Sequence, residues 1–172
     1  MFNFIFKKLN NLKVIKFNLV LLLFICFSTK VVSQHTPSVY KINDLLHRIH
    51  NNSDTIYVVN FWATWCKPCV AELPDFEKIE QEYKNKPVKV ILVSLDFKEN
   101  LNNKLIPFIN KNHYTTEVVL LDEIDGNNFI NKIDKGWSGA IPATLFRKKE
   151  EQVFMEKKVS YTDLKGKIIT YL

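Results

Sequence analysis

Asn60-Phe61-Trp62-Ala63-Thr64-Trp65-Cys66-Lys67-Pro68-Cys69 lies between two opposite patterns. Before it, Ile56-Tyr57-Val58-Val59 is a β-branched apolar run that reads as a buried strand. After it, Val70, Leu73, Phe76, Ile79 and Tyr83 recur at helical spacing, with Glu77, Lys78, Glu80 and Gln81 opposite. Two cysteines separated by two residues at a strand-to-helix junction can close a small disulfide ring. The first sulfur then sits at the helix N-terminus, where unpaired N–H groups and the positive end of the macrodipole stabilise a thiolate. Such a setting lowers a cysteine pKa from ~8.5 toward ~3.5–7.5, giving a nucleophile at neutral pH. Lys67 adds positive charge nearby. Pro68 suits an early helical position, where its missing N–H costs nothing. Pro74, deeper in the helix, is expected to kink it.

At these residues the sequence resembles the thioredoxin superfamily. Phe61-Trp62-Ala63-x-Trp65-Cys66-x-Pro68-Cys69 is similar to its active-site signature. The continuation Val70-Ala71-Glu72-Leu73-Pro74 resembles the TlpA/ResA branch of envelope thiol–disulfide oxidoreductases. A CxxC alone also occurs in zinc sites. The flanking aromatics and the preceding strand favour a redox dithiol over a structural one.

The formal charge of +6 is confined to one end. Lys7, Lys8, Lys13, Lys16 and Lys30 fall in the first 33 residues, which hold no Asp or Glu; without them 19 basic residues face 18 acidic ones. The charge therefore gives no reason to expect a nucleic-acid partner. Those basic residues flank the apolar run Phe17 to Phe27, and Val31 and Ser33 suit the −3 and −1 positions of a cleavage site. This is the layout of a secretory signal peptide over residues 1–33, leaving 34–172 as the mature domain. About ten apolar residues are short for a membrane span of ~20. Membrane attachment is expected only if this segment stays uncleaved or is lipidated at Cys26, and Ile25 is bulkier than lipoprotein signals usually tolerate. After cleavage Cys66 and Cys69 are the only cysteines left. In an oxidising compartment, a domain with one adjacent pair and no other disulfide has that pair as its working part.

His35 to Tyr40 reads as a polar entry segment, and Ile42, Leu45, Leu46 and Ile49 share one helical face. His47 and His50 beside that stripe read as solvated. Val88 to Leu95 is a second buried strand, followed by a loop and then a helix from Leu101 to about Asn112, interrupted near Pro107. Val118-Val119-Leu120-Leu121 is a short third strand, and the acidic turn after it lacks the ligand spacing of a calcium loop. A short helix is expected over Asn128 to Ile133. Arg147 to Gln152 reads as a hairpin turn, Val153 to Met155 as the next strand, and Leu164, Ile168 and Leu172 as the stripe of a closing helix.

Helices alternating with strands predict an α/β fold: a mixed central sheet with a parallel core and an antiparallel C-terminal hairpin, flanked by helices. The resemblance makes this thioredoxin-like, with an inserted strand-helix element between Val118 and Ile133. It further implies that the Ile141–Pro142 bond is cis and faces the dithiol, where the backbone of Ile141 can pair with a substrate strand. Cys66 is then the attacking thiolate and Cys69 the buried resolving thiol. Asn60 stands where thioredoxin has a buried Asp, and cannot act as a base. Glu72, one helical turn after Cys69, matches a Glu that tunes the dithiol in some relatives; its alternative is a solvated helix-face carboxylate. Trp65 is expected to flank the dithiol.

The implied function is reduction of protein disulfides in the periplasm or cell envelope, with no cofactor or metal beyond the Cys66–Cys69 disulfide and an unnamed envelope electron donor. Two alternatives stand beside it: a disulfide-forming oxidant of the same fold, and a redox-inert or Cu(I)-binding module. Copper-binding relatives need a wider cysteine spacing, and His113, the one His after the dithiol, carries no mark of a ligand.

Overall fold

The computed structural model describes residues 36–50 and 53–172. The signal peptide read over residues 1–33, with Cys26, lies outside them. Period-two alternation in β2 (Ile56–Trp62) sends Ile56, Val58, Asn60 and Trp62 to one face and Tyr57, Val59 and Phe61 to the other, and all seven are buried. A strand covered on both faces belongs in the middle of a layered α/β domain. Around it the chain runs β1 (Ser38–Tyr40), α1 (Ile42–Ile49), β2, α2 (Lys67–Tyr83), β3 (Val88–Ser94), α3 (Ile106–Asn112), β4 (Glu117–Leu121), α4 (Ile130–Ile133), β5 (Ala143–Lys148), β6 (Glu151–Met155) and α5 (Tyr161–Ile169).

These strands form one sheet in the order β1-β4-β3-β2-β5-β6. The first four run parallel, and β5 and β6 close the sheet antiparallel. Parallel core, C-terminal hairpin and inserted strand-helix element (β4 and α4) are thus all present, the inserted strand lying between β1 and β3. One apolar layer joins Ile56, Val58 and Leu92 of the sheet to Leu73, Phe76 and Ile79 of α2, Ile109 of α3 and Leu164 and Ile168 of α5. The other joins Val59, Phe61, Ile91 and Val119 to Leu45 of α1 and Ile133 of α4. Each such fully buried side chain contributes about 1.5–3 kcal/mol of transfer free energy. Asn60 is the polar member of the α2-facing row, an exception that the site explains.

Several boundaries differ from the sequence reading. Ser38–Tyr40, read as an entry segment, is an edge strand paired with Val119 to Leu121, stabilised by backbone hydrogen bonds that its side chains do not advertise. Leu101–Leu105 forms a π turn, and α3 proper starts at Ile106 with Pro107 in its first turn, where a proline costs no hydrogen bond. The expected helix over 128–133 begins only at Ile130, after a 3-10 turn at Gly126–Asn128. Most of the expected hairpin turn is strand: the turn narrows to Lys149 and Glu150, with Lys149 in the left-handed region at φ 55°. α2 continues across Pro74, which faces solvent.

Candidate active site

Strand register brings the Asn60–Cys69 stretch and the Ile141–Pro142 segment to the same end of the sheet. Asn60 pairs with Thr144 and Phe61 with Ala143, so the chain leaving β2 and the chain entering β5 end at the same edge of the molecule. Cys66 is the N-cap of α2 with an extended backbone (φ −86°, ψ 95°), and its Sγ lies 3.3 Å from the backbone N–H of Cys69, which donates to it. The sulfurs of Cys66 and Cys69 are joined, with Cα atoms 5.3 Å apart. Cys66 keeps 6% exposure and Cys69 none. The Ile141–Pro142 bond is cis, and the Ile141 carbonyl oxygen is 3.8 Å from Cys66 Sγ. Trp65 stands out at 64% exposure beside the pair, whereas Trp62 is buried and tilts against Phe108. Lys67 and Pro68 face solvent.

Glu72 is not a solvated helix-face residue. It is fully buried, its Oε1 accepting from Asn60 Nδ2 at 2.8 Å and its Oε2 from the Val159 N–H at 2.8 Å. Burial pushes its carboxyl up to about 7, against the lowering effect of those two hydrogen bonds and of Lys158. Asn60 Nδ2 also lies 3.2 Å from Thr144 Oγ1, while its Oδ1 is buried without a partner among the described residues. Asn60 on the α2 face of β2 is therefore the donor that keeps a buried carboxyl in place. The parity of the strand carries that information, since the inward row at positions 56, 58 and 62 includes position 60. Cys69 and Glu72, one turn apart on α2, share the buried side of the helix.

Asp96 lies in the loop after β3, as its sequence context suggests, yet it is not a solvated loop residue. It is 3% exposed and ties the dithiol loop to the end of β3: its Oδ2 accepts from the Thr64 N–H at 2.9 Å and Ser94 Oγ at 2.8 Å, and its Oδ1 from Thr64 Oγ1 at 2.7 Å. An Asp two residues past a buried strand, facing a Thr two residues before a cysteine, is visible only once the strands are placed side by side. Removing the acceptor strands three donors, each charge-assisted bond being worth about 1.5–3 kcal/mol before water re-solvates the exposed side. Asp96→Ala is therefore expected to lose roughly 3 kcal/mol in urea unfolding, with Asp96→Asn losing less. A loss within about 0.5 kcal/mol, typical of surface changes, would show that this carboxylate does not hold the loop.

Among the described residues no three His, Cys, Asp or Glu side chains gather in a way that could hold a metal ion, and His113 is an exposed residue at φ 55° ending α3. Nor is any described helix long and apolar enough to cross a membrane.

A family model described as AhpC/TSA matches residues 43–153, which takes in β2, the dithiol, the Asp96 loop, β5 and the start of β6. The chain belongs to the AhpC/TSA family. Within this thioredoxin-like family it is 47% identical over 49 residues to the thiol-disulfide oxidoreductase ResA of Oceanobacillus iheyensis, a match covering 28% of this chain and 26% of that protein. It is 32% identical over 91 residues to the thioredoxin of Buchnera aphidicola, covering 47% of this chain and 82% of that one. The chain thus spans about a quarter of the first relative's length and most of the second's. A crystal structure of a thiol:disulfide interchange protein of the thioredoxin family from Chlorobium tepidum superposes with a TM-score of 0.57 at 22% identity, over 70% of this chain and 82% of that one. That likeness shows the shared fold.

Proposed function

We propose that the chain is a thiol–disulfide oxidoreductase of the cell envelope that reduces protein disulfides through Cys66 and Cys69. The observation that carries this is the placement of Cys66: N-cap of α2, bonded to a buried Cys69, with the Ile141 backbone alongside. In the reduced form, the Cys66 thiolate attacks one sulfur of a substrate disulfide. A Cys66–substrate disulfide forms and the other substrate sulfur leaves as a thiolate. Cys69 then loses its proton, for which Glu72 is the acceptor one helical turn away, and attacks Cys66 Sγ. The Cys66–Cys69 bond closes, the second substrate thiolate departs, and two electrons have passed to the substrate. Glu72 suits this task because its carboxyl, at about 7, changes charge near neutrality. Trp65 and the Ile141–Pro142 backbone form the surface that meets the substrate strand.

Export is the reading that the basic, apolar and small-residue succession of residues 1–33 supports, with residues 34–172 as the working domain in the periplasm or envelope. An envelope electron donor must then return the pair to the dithiol. The test is turnover: with dithiothreitol as donor, the chain is expected to accelerate reduction of a protein disulfide in proportion to its concentration. A rate equal to that of dithiothreitol alone contradicts the proposal.

A further inference from the structure

The chain leaves two adjacent parallel strands in opposite directions. After β3 it runs to α3, whose Ile109 packs in the same layer as α2; after β4 it runs to α4, whose Ile133 packs in the opposite layer. Diverging connections at the carboxyl ends of neighbouring parallel strands open a crevice, the usual place for a ligand in such sheets. Here the crevice has a volume of about 430 Å³. Its lining includes Phe97 and Glu99 from the segment after β3, Glu123 and Ile124 from the segment after β4, and Ile130 and Gly139.

Five observations bear on how this groove relates to the dithiol and to an occupant. Its β3 wall contains Asp96, which is bonded to Thr64 two residues before Cys66. Its lining also contains Gly139, two residues before Ile141, whose carbonyl oxygen lies beside Cys66 Sγ. Two glycines pack closely in its lining: a Cβ on Gly126 or on Gly139 would come within 2.8 or 2.9 Å of Ile130 Cδ1, and Gly139 has a φ of +92° that favours glycine besides. Phe97 and Ile124 are 63% and 91% exposed, although large apolar side chains gain nothing by standing in water. The lining is also acidic. It holds Asp96, Glu99, Asp122 and Glu123 against Lys98, and Asp122 is the carboxylate already paired with Lys98 and with Lys41.

We propose that this groove is a specificity subsite. It takes a segment of the substrate polypeptide next to the reacting cysteine, seating an apolar side chain between Phe97 and Ile124 with a Lys or Arg against Glu99 and Glu123. The proposal rests on the oxidoreductase reading and adds the class of sequence that the enzyme selects. Shape and apolar wall favour one aliphatic or aromatic side chain, and the carboxylate excess selects its basic neighbour over an acidic one.

The test uses the reduced full chain and short peptides whose single cysteine is joined to thionitrobenzoate, so that attack on the peptide sulfur releases the coloured thiol. One peptide flanks the cysteine with Leu and Lys, the other with Ser and Glu; dithiobis-nitrobenzoate, which has no flanking residues, is the reference. The Leu-Lys peptide is expected to react about tenfold faster than the Ser-Glu peptide, the discrimination one buried side chain affords. Phe97→Ser with Ile124→Ser is expected to remove that preference while leaving reaction with dithiobis-nitrobenzoate unchanged. Glu99→Lys, a change at an exposed position that leaves the apolar wall intact, is expected to reduce it. Equal rates for both peptides in the parent chain, or a preference that survives all of these substitutions, overturn the subsite while leaving the oxidoreductase reading intact. No reaction even with dithiobis-nitrobenzoate overturns both. Self-association lost in the double variant with peptide preference unchanged identifies the occupant as a second copy of the chain and also overturns the proposal.

Discussion

Cys66→Ser is expected to reduce disulfide-reducing turnover by at least about a thousandfold, the scale seen when an enzyme loses its nucleophile, whereas Cys69→Ser is expected to accumulate a covalent adduct with the substrate. The two outcomes follow from where α2 begins. Cys66 caps the helix and keeps a sliver of exposure beside the Ile141 backbone; Cys69, three residues on, has turned into the apolar layer with Leu73 and Phe76. A protein disulfide can reach the first sulfur and not the second. Without Cys69 the mixed disulfide has no internal thiol to resolve it, so one substrate molecule per chain should remain attached until an external thiol is added. Mass spectrometry of the trapped species checks this. An adduct on Cys69 in the Cys66→Ser chain, with none on Cys66 in the Cys69→Ser chain, would reverse the assignment.

Glu72→Gln is expected to stabilise the oxidised protein above pH 7. In the folded chain Glu72 holds its proton up to about pH 7, whereas an unfolded glutamate releases it near 4.5. Between those values the native state binds the extra proton, so the parent loses stability as pH rises through the window and the loss is complete above it. At about 1.4 kcal/mol per pKa unit the difference amounts to roughly 3 kcal/mol. Glutamine removes the titration. It can still accept from the Val159 N–H and can offer an N–H to Asn60, whose Oδ1 has no partner among the described residues. Urea unfolding below pH 4.5 and above pH 7 should therefore show the variant gaining on the parent as pH rises. Parallel pH dependence in the two proteins would mean that Glu72 does not carry the buried proton. The proposed price is catalytic, since the variant cannot accept the Cys69 proton. Resolution of the mixed disulfide should slow in the same variant while the first attack by Cys66 does not.

Much of this site is legible in the chain because it is written in local patterns. The β-branched run before Asn60, the apolar stripe after Cys69 and the proline at the start of α2 each fix an element by its own periodicity. The pairing of Cys66 with Cys69 needs only the three-residue separation and an N-terminal helical turn. What stayed hidden depends on neighbours far along the chain. Whether Glu72 points to water or to Asn60 is decided by how α2 rotates over the sheet. A helix with Glu72, Glu77 and Glu80 on several faces does not state which carboxylate is buried. Asp96 acquires its role only when β3 lies beside β2, and the crevice at Phe97 and Ile124 exists because the chain leaves β3 and β4 toward opposite layers. The edge strand Ser38–Tyr40 has no apolar alternation to reveal it, since its hydrogen bonds with β4 are made by the backbone.

If Cys66 and Cys69 cycle as a two-electron couple poised for reduction, the reduction potential of residues 34–172 will show it. Equilibration against glutathione or dithiothreitol buffers, followed by the fluorescence of Trp62 and Trp65, should give one reversible two-electron transition nearer the reducing end of the known range, about −270 mV, than the oxidising end, about −120 mV. A potential at the oxidising end would make the protein a disulfide donor, and the absence of any reversible transition would contradict the redox reading altogether.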